Sequence, residues 1–150
     1  MDKIGAIFHL LSRIDMDYDR IADEYESLLR SIDNYIDSVS YLKKSVIVNF
    51  SKRRDELSFE DFEVRVEIET RLKLVNIDTN PSYCMEVNFV TEQERNKKES
   101  IYKAYITSDG YIVDGFTSAK PICESDNTYK GKILFERLLI NLADKKIISV

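Results

Sequence analysis

The fold is decided by residues 4–46, which read IGAIFHLLSRIDMDYDRIADEYESLLRSIDNYIDSVSYLKKSV. No proline interrupts this stretch. Apolar residues recur in it with alternating spacings of three and four, at thirteen consecutive heptad a and d positions: Ile4, Ile7, Leu11, Ile14, Tyr18, Ile21, Tyr25, Leu28, Ile32, Tyr35, Val39, Leu42 and Val46. A repeat sustained over this many heptads predicts one long helix with a coiled-coil-type seam.

The apolar stripe of this helix is wider than a two-stranded zipper needs. Four of the e positions are also apolar, namely Phe8, Ala22, Leu29 and Ile36, and the g positions carry no matching opposite charges. A stripe of this width requires more than one neighbour. We therefore expect the helix to contact its own domain along part of its length and a second chain along the rest. The predicted oligomer interface consists of Ile14, Tyr18, Ile21, Tyr25, Leu28, Ile32 and Tyr35. The alternative is a helix that breaks near residues 15–19 and folds back within one monomer.

After the helix the apolar period changes from about 3.5 residues to two, which is typical of strands. Residues 62–74 and 83–89 alternate between apolar and polar side chains. Residues 101–107 and 111–117 flank a Ser-Asp-Gly turn and read as a hairpin. Residues 133–143 are apolar nearly all round, which predicts a helix buried against the sheet.

These elements predict an α+β fold with a long N-terminal helix, a four-stranded antiparallel β-sheet and a C-terminal helix. We assign residues 1–54 to the helical arm and residues 55–150 to the antiparallel sheet with its C-terminal helix. We expect the two parts to form one compact unit.

Composition narrows the class of protein. The 150 residues are 43% apolar and 33% charged, which is enough for a core and excludes a disordered chain. No apolar run approaches the ~18–20 residues of a membrane span.

Cys84 and Cys123 lack the spacing of zinc or redox sites, so we expect two reduced thiols in the cytoplasm. A disulfide is the alternative if the chain is exported. Residue usage rich in Ile, Lys, Tyr and Asn favours an AT-rich gene, as in low-GC bacteria and phages.

The sequence contains no recognisable catalytic or cofactor motif. A single histidine, His9, excludes a multi-histidine metal site, and no nucleophile motif accompanies it. The four glycines form no phosphate-binding loop. The alternating Glu and Arg residues of 63–71 resemble metal-nuclease triplets, but their period predicts a solvated strand face with cross-strand ion pairs. We expect no catalytic residue, no metal and no cofactor.

Charge patterning leaves a nucleic-acid role open. The basic cluster consists of Lys43, Lys44, Lys52, Arg53 and Arg54. Tyr41 and Phe50 lie nearby for stacking on bases. In the other interpretation, these cations lie at the C-terminus of a helix, where the helix dipole favours positive charge. The net charge of -5 also opposes general binding to phosphates. The acidic residues 15–37 could instead mimic phosphates or form a solvated helix face.

The sequence therefore predicts a non-enzymatic, self-associating protein-interaction module that acts by binding a protein partner. A small bacterial or phage inhibitor, adaptor or chaperone that forms dimers fits this description. Two alternatives remain open: a nucleic-acid-binding regulatory protein using the basic cluster at 43–54, and an enzyme whose site is not visible in sequence.

Overall fold

The computed structural model of the protein describes residues 2–77, 80–94, 97–116 and 120–148. This part of the chain forms two main helices and a seven-stranded antiparallel sheet curled into a half-barrel. The helices are α1 (Lys3–Ser38), α2 (Ser40–Ser45) and α3 (Lys130–Asp144). The strands are β1 (Val46–Phe50), β2 (Asp55–Phe59), β3 (Val64–Ile77), β4 (Asn80–Glu94), β5 (Lys97–Thr107), β6 (Tyr111–Val113) and β7 (Cys123–Glu124). Each strand pairs with the next one along the chain, so the sheet is a simple meander.

The prediction of a four-stranded sheet is wrong. The predicted strands correspond to β3, β4, β5 and β6, and the structure adds β1 and β2 before them and β7 after them. Residues 46–54, which the sequence assigned to the helical arm, form β1 and the turn that leads to β2. The reason is that Val46, Val48 and Phe50 are β-branched or aromatic and suit a strand better than a helix. Residue 117, at the end of the fourth predicted strand, lies outside the described residues.

The long helix is continuous across residues 15–19 but shorter than predicted. α1 begins after Asp2, whose carboxylate accepts a hydrogen bond from the Gly5 amide at 2.7 Å. It ends where the Ser38 hydroxyl donates to the Tyr35 carbonyl at 2.7 Å and Val39 adopts an extended backbone. The separate helix α2 follows this break, and its last residue leads directly into β1.

The core lies between one face of the sheet and the two long helices. Phe135 of α3 stacks on Phe59 of β2 with ring centroids 6.1 Å apart and meets the edge of Tyr35 of α1 at 6.0 Å. The Tyr83 hydroxyl of β4 donates to Asp17 of α1 at 3.0 Å. Alternate strand residues fill this core: Val46, Leu57, Phe59, Val66, Ile68, Met85, Val87, Phe89, Ala104, Ile106 and Ile112.

The opposite face of the sheet carries a ladder of charges. Glu86 is buried and forms ion pairs with Arg71 at 3.3 Å and Lys73 at 3.1 Å on the neighbouring strand. Lys98 of β5 contacts Glu69 of β3 at 2.9 Å. The alternating charges of 63–71 thus form cross-strand ion pairs, as the period of two predicts.

Candidate functional site

The seven residues of the predicted oligomer interface fall into two groups. Ile21, Leu28 and Ile32 are 0%, 1% and 1% exposed and belong to the hydrophobic core of the same chain. Tyr25 and Tyr35 are half-buried beside them. The C-terminal half of the α1 apolar face is therefore covered by the sheet and α3 within one chain.

Contacts within the chain fix the two tyrosines of this group. The Tyr25 hydroxyl donates to the Asp55 carboxylate at 2.7 Å. Burial raises the Tyr25 pKa, and the hydrogen bond to Asp55 raises it further. The Tyr35 ring contacts Phe135, and burial raises its pKa in the same direction. The Tyr25 hydroxyl and the Tyr35 ring thus both have partners within the chain.

The N-terminal half of α1 exposes a row of large apolar side chains. We name Ile4, Phe8, Leu11 and Tyr18 the α1 stripe. Ile4 is 62% exposed, Phe8 67%, and Leu11 and Tyr18 49% each. Ile14, from the predicted interface, is half-buried along its border. An apolar row of this kind on an otherwise charged helix indicates an interaction surface.

In the N-terminal half of α1, the α1 stripe lies on a different side of the helix from the buried Leu10. At about 100° per residue, the four stripe residues fall within an arc of about 80°. Leu10, Ile21 and Leu28, which are buried, lie about 100–120° around the helix from the centre of this arc. Leu29 and Ile36 fall within the same arc as the stripe but are buried, so the exposure of the stripe depends on its position in the N-terminal half of α1 as well as on its side of the helix.

Charges near the α1 stripe are arranged asymmetrically along the helix. Lys3 lies at the N-terminal end, and Asp15 and Asp19 lie at the other end. All three are exposed. Asp2 is exposed next to Lys3, so the N-terminal end of the stripe is close to neutral apart from the positive end of the helix dipole, whereas the other end is acidic.

The five residues of the basic cluster do not form one patch along the chain. Lys43 and Lys44 lie in the last turn of α2, whereas Lys52, Arg53 and Arg54 occupy the turn after β1. Lys43 pairs with Asp37 at 3.3 Å, and Arg54 with Glu56 at 3.2 Å. Lys44, Lys52 and Arg53 are exposed, and no carboxylate of the described residues lies within 4.0 Å of their charged groups.

Sequence reasoning missed a buried cation between the helices. Lys130, the first residue of α3, is buried, and its Nζ donates to the Ser27 hydroxyl at 2.8 Å and to the Ser125 carbonyl at 2.7 Å. Burial lowers the Lys130 pKa, because desolvation penalises the charged form. These contacts join α1 to the start of α3. No periodic signal marks Lys130 in the sequence, since it lies at an element boundary.

An open groove of about 740 Å³ lies beside β5 and α3. Tyr102, Asp114, Arg137 and Ile140 are among the residues that line it. Arg137 pairs with Asp114 at 2.9 Å, and the Tyr102 hydroxyl is buried with no hydrogen-bond partner among the described residues. Burial raises the Tyr102 pKa to about 12.

The groups that could act as nucleophiles lie apart from one another. Cys84 is buried in β4, and desolvation raises its pKa to about 11. His9 is exposed on α1. Within the described part of the chain, no three His, Cys, Asp or Glu side chains are grouped so that they could hold a metal ion. In that same part, none of the helices combines the length and apolarity needed to cross a membrane.

We compared the chain with protein-family models, with curated proteins and with solved structures. None of the three comparisons gives a match. The functional assignment therefore rests on the geometry of the chain itself.

Proposed function

We propose that the protein is a non-enzymatic interaction module that self-associates through the α1 stripe and binds a protein partner. The exposure of Phe8 carries the proposal, together with Ile4, Leu11 and Tyr18 on the same side of the helix. Large apolar side chains in a continuous row lower the free energy when a second surface removes them from water. The occupant we propose for this surface is the α1 stripe of a second copy.

The stripe is self-complementary when two copies run antiparallel. With the two-fold axis at Leu11, Ile4 of one copy faces Tyr18 of the other, and Phe8 faces Ile14. The same register places Lys3 opposite Asp19. A parallel pair would instead bring the acidic residues 15–19 of the two copies together, which is unfavourable. Charge thus favours the antiparallel dimer, and a two-fold axis makes its interface isologous.

Other features agree with a small intracellular inhibitor, adaptor or chaperone from a bacterium or phage. Cys84 and Cys123 are both free thiols, which supports a reducing compartment such as the cytoplasm. Nucleic-acid binding has weaker support, because the basic cluster is divided by β1 and two of its five residues are already ion-paired. An enzyme has weaker support because the two candidate nucleophiles lie on separate elements, with Cys84 buried in β4 and His9 exposed on α1.

Light scattering coupled to size-exclusion chromatography tests the self-association. We expect a dimer whose fraction rises from low to high micromolar concentration. A chain that remains monomeric throughout this range would overturn the proposal.

Cysteine cross-linking tests the register separately. Chains carrying Ile4→Cys mixed with chains carrying Tyr18→Cys should form a disulfide-linked heterodimer under mild oxidation. Chains carrying Ile4→Cys alone should not cross-link, because the antiparallel arrangement separates the two copies of residue 4. Cross-linking of the single variant, with no heterodimer formed in the mixture, would show a parallel pair and refute the proposed register.

A further inference from the structure

The first strand of the sheet has an open edge. β1 pairs with β2 on one side, and none of the described residues forms a strand on its other side. An unpaired edge presents main-chain N–H and C=O groups that can bind a further strand. The opposite edge of the sheet differs, because β7 has only two residues.

β1 lacks the features that usually block an edge strand. Its sequence, Val46 to Phe50, reads VIVNF and contains no proline and no charge. Its pairing with β2 is regular over all five residues, without a bulge. Ile47 is half-exposed on the outer face, and Val48 is half-buried on the core face. A regular, uncharged edge of five residues is long enough to accept an added strand.

Cations lie at both ends of this edge. Lys44 comes just before β1, and Lys52 and Arg53 come just after it. All three are exposed and have no carboxylate within 4.0 Å among the described residues. At about 3.3 Å per residue, the two groups are on the order of 20–25 Å apart. The basic cluster of the sequence is thus divided into two groups of cations, one at each end of an uncharged strand.

We propose that β1 receives an extended segment of a protein partner by strand addition, and that this segment carries acidic residues on both sides of an uncharged centre. Main-chain hydrogen bonds to the free edge supply the affinity. Ion pairs to Lys44 at one end and to Lys52 and Arg53 at the other select the segment and fix its register.

Charge argues against a second copy as the occupant of this edge. In an antiparallel β1–β1 pair centred on Val48, Lys44 of one copy would face Lys52 of the other. Like charges directly opposite each other across a strand pair are destabilising. The β1 edge and the α1 stripe therefore take different occupants, a partner segment and a second copy respectively.

A synthetic peptide tests the inference. The probe is an acetylated peptide, Glu-Glu-Val-Thr-Val-Thr-Val-Glu-Glu, and the control peptide has lysine in place of each glutamate. We expect the acidic peptide to bind in a fluorescence-anisotropy titration and to slow hydrogen exchange of the amides of residues 47–49. The lysine peptide should bind about tenfold more weakly or less.

Charge reversal in the chain supplies the matched control. Lys44→Glu combined with Lys52→Glu should weaken binding of the acidic peptide by about tenfold or more. Lys132→Glu combined with Lys145→Glu changes the net charge equally but lies on α3 and at its end, so binding should be retained. Equal binding of the peptide to both double variants, or slowed exchange outside β1 only, would overturn the inference.

Two further experiments distinguish a peptide segment from nucleic acid as the occupant of the β1 edge, and distinguish this site from the proposed self-association surface. A single-stranded oligonucleotide that binds at moderate salt and displaces the peptide would reassign the cations to nucleic acid. Phe8→Glu, which should disrupt the α1 pair, should leave peptide binding unchanged. Loss of peptide binding in Phe8→Glu would show that the two surfaces are one and would refute the separate site.

Discussion

The amide of Gly131 donates a hydrogen bond to the Ser31 hydroxyl at 2.9 Å, and this contact marks a close approach of α3 to the backbone of α1. A Cβ on Gly131 would lie 2.3 Å from the Ile32 nitrogen and 2.3 Å from the Ser31 carbonyl carbon. Both are main-chain atoms, which cannot rotate away as a side chain can. The small size of Gly131 therefore sets the distance between the two helices.

Gly131→Ala should destabilise the protein by about 3 kcal/mol or more, because the helices must separate to admit the methyl group. Urea denaturation followed by circular dichroism measures this change. Gly115→Ala is the matched control, since its Cβ would meet nothing within 4 Å, and it should leave the unfolding midpoint nearly unchanged. Similar midpoints for the two variants would show that α1 and α3 do not meet closely at residue 131.

Leucine truncations should separate the two sides of α1. Leu28 is 1% exposed, so Leu28→Ala should lower the free energy of unfolding by about 2–5 kcal/mol. Leu11, in the α1 stripe, is about half-exposed, so Leu11→Ala should lower monomer stability by only about 0.5 kcal/mol or less. Denaturation at dilute, monomeric concentrations makes the comparison. A larger loss for Leu11→Ala than for Leu28→Ala would mean that the helix faces are assigned the wrong way round.

Phe8→Glu should convert the dimer to a monomer without lowering monomer stability. The substitution places a charge in an interface that excludes water, whereas the same side chain in the monomer remains solvated. Light scattering and thermal melting give the two readouts. Ile140→Glu is the control, because Ile140 is an exposed apolar residue on α3 outside the α1 stripe, and the dimer should persist. Dissociation by Ile140→Glu with no effect of Phe8→Glu would move the interface to α3.

The α1 helix could be predicted from the sequence because thirteen heptad positions all agree, and the helix is continuous in the structure up to residue 38. The end of the helix could not be predicted in this way, because Val39, Leu42 and Val46 continue the heptad pattern. In the structure, however, the backbone of Val39 is extended. A local hydrogen bond from Ser38 to Tyr35 outweighs the pattern there.

The prediction of the number of strands was wrong for a related reason. β2 reads DELSF, and only Leu57 and Phe59 show the period of two, which is too few for a strand signal. β1 could not be recognised from the sequence because Val46 also fits the heptad pattern of the preceding helix. β7 has two residues and exists only because β6 offers an edge to pair with. Strand partners distant in sequence, rather than local propensity, decide such elements.

The candidate site was predictable only in part. The sequence shows that the apolar stripe of α1 is wide, but it does not show which neighbour covers which residue. Ile21, Leu28 and Ile32 look equivalent to Ile4 and Leu11 in the heptad pattern, and only the curl of the sheet distinguishes them. The sequence likewise does not show that a strand, β1, separates the two halves of the basic cluster.

Removal of the Tyr25 hydroxyl should weaken the junction between α1 and β2. Tyr25→Phe leaves the half-buried Asp55 carboxylate without the hydrogen bond that it accepts at 2.7 Å. We expect the free energy of unfolding to fall by about 1–2 kcal/mol, since a lost bond to a charged group costs more than a neutral one. The double variant Tyr25→Phe with Asp55→Asn should lose less than the sum of the two single changes. Strict additivity in this cycle would show that the two side chains are not coupled.

Alkaline pH should destabilise the protein through Cys84. Burial raises its pKa from 9.0 to about 11, so between these values the unfolded chain has lost a proton that the folded chain retains. The stabilising contribution is thus complete below pH 9 and is lost as the pH rises toward 11, at up to about 1.4 kcal/mol per pH unit. Urea denaturation from pH 7 to 10.5 measures the slope. Cys84→Ala should be less stable at neutral pH because of the small cavity, yet its stability should fall less steeply above pH 9, where Cys123 and the buried tyrosines still contribute. Parallel curves for the two proteins would show that the Cys84 thiol titrates at its ordinary pKa and that β4 is open to water at this position.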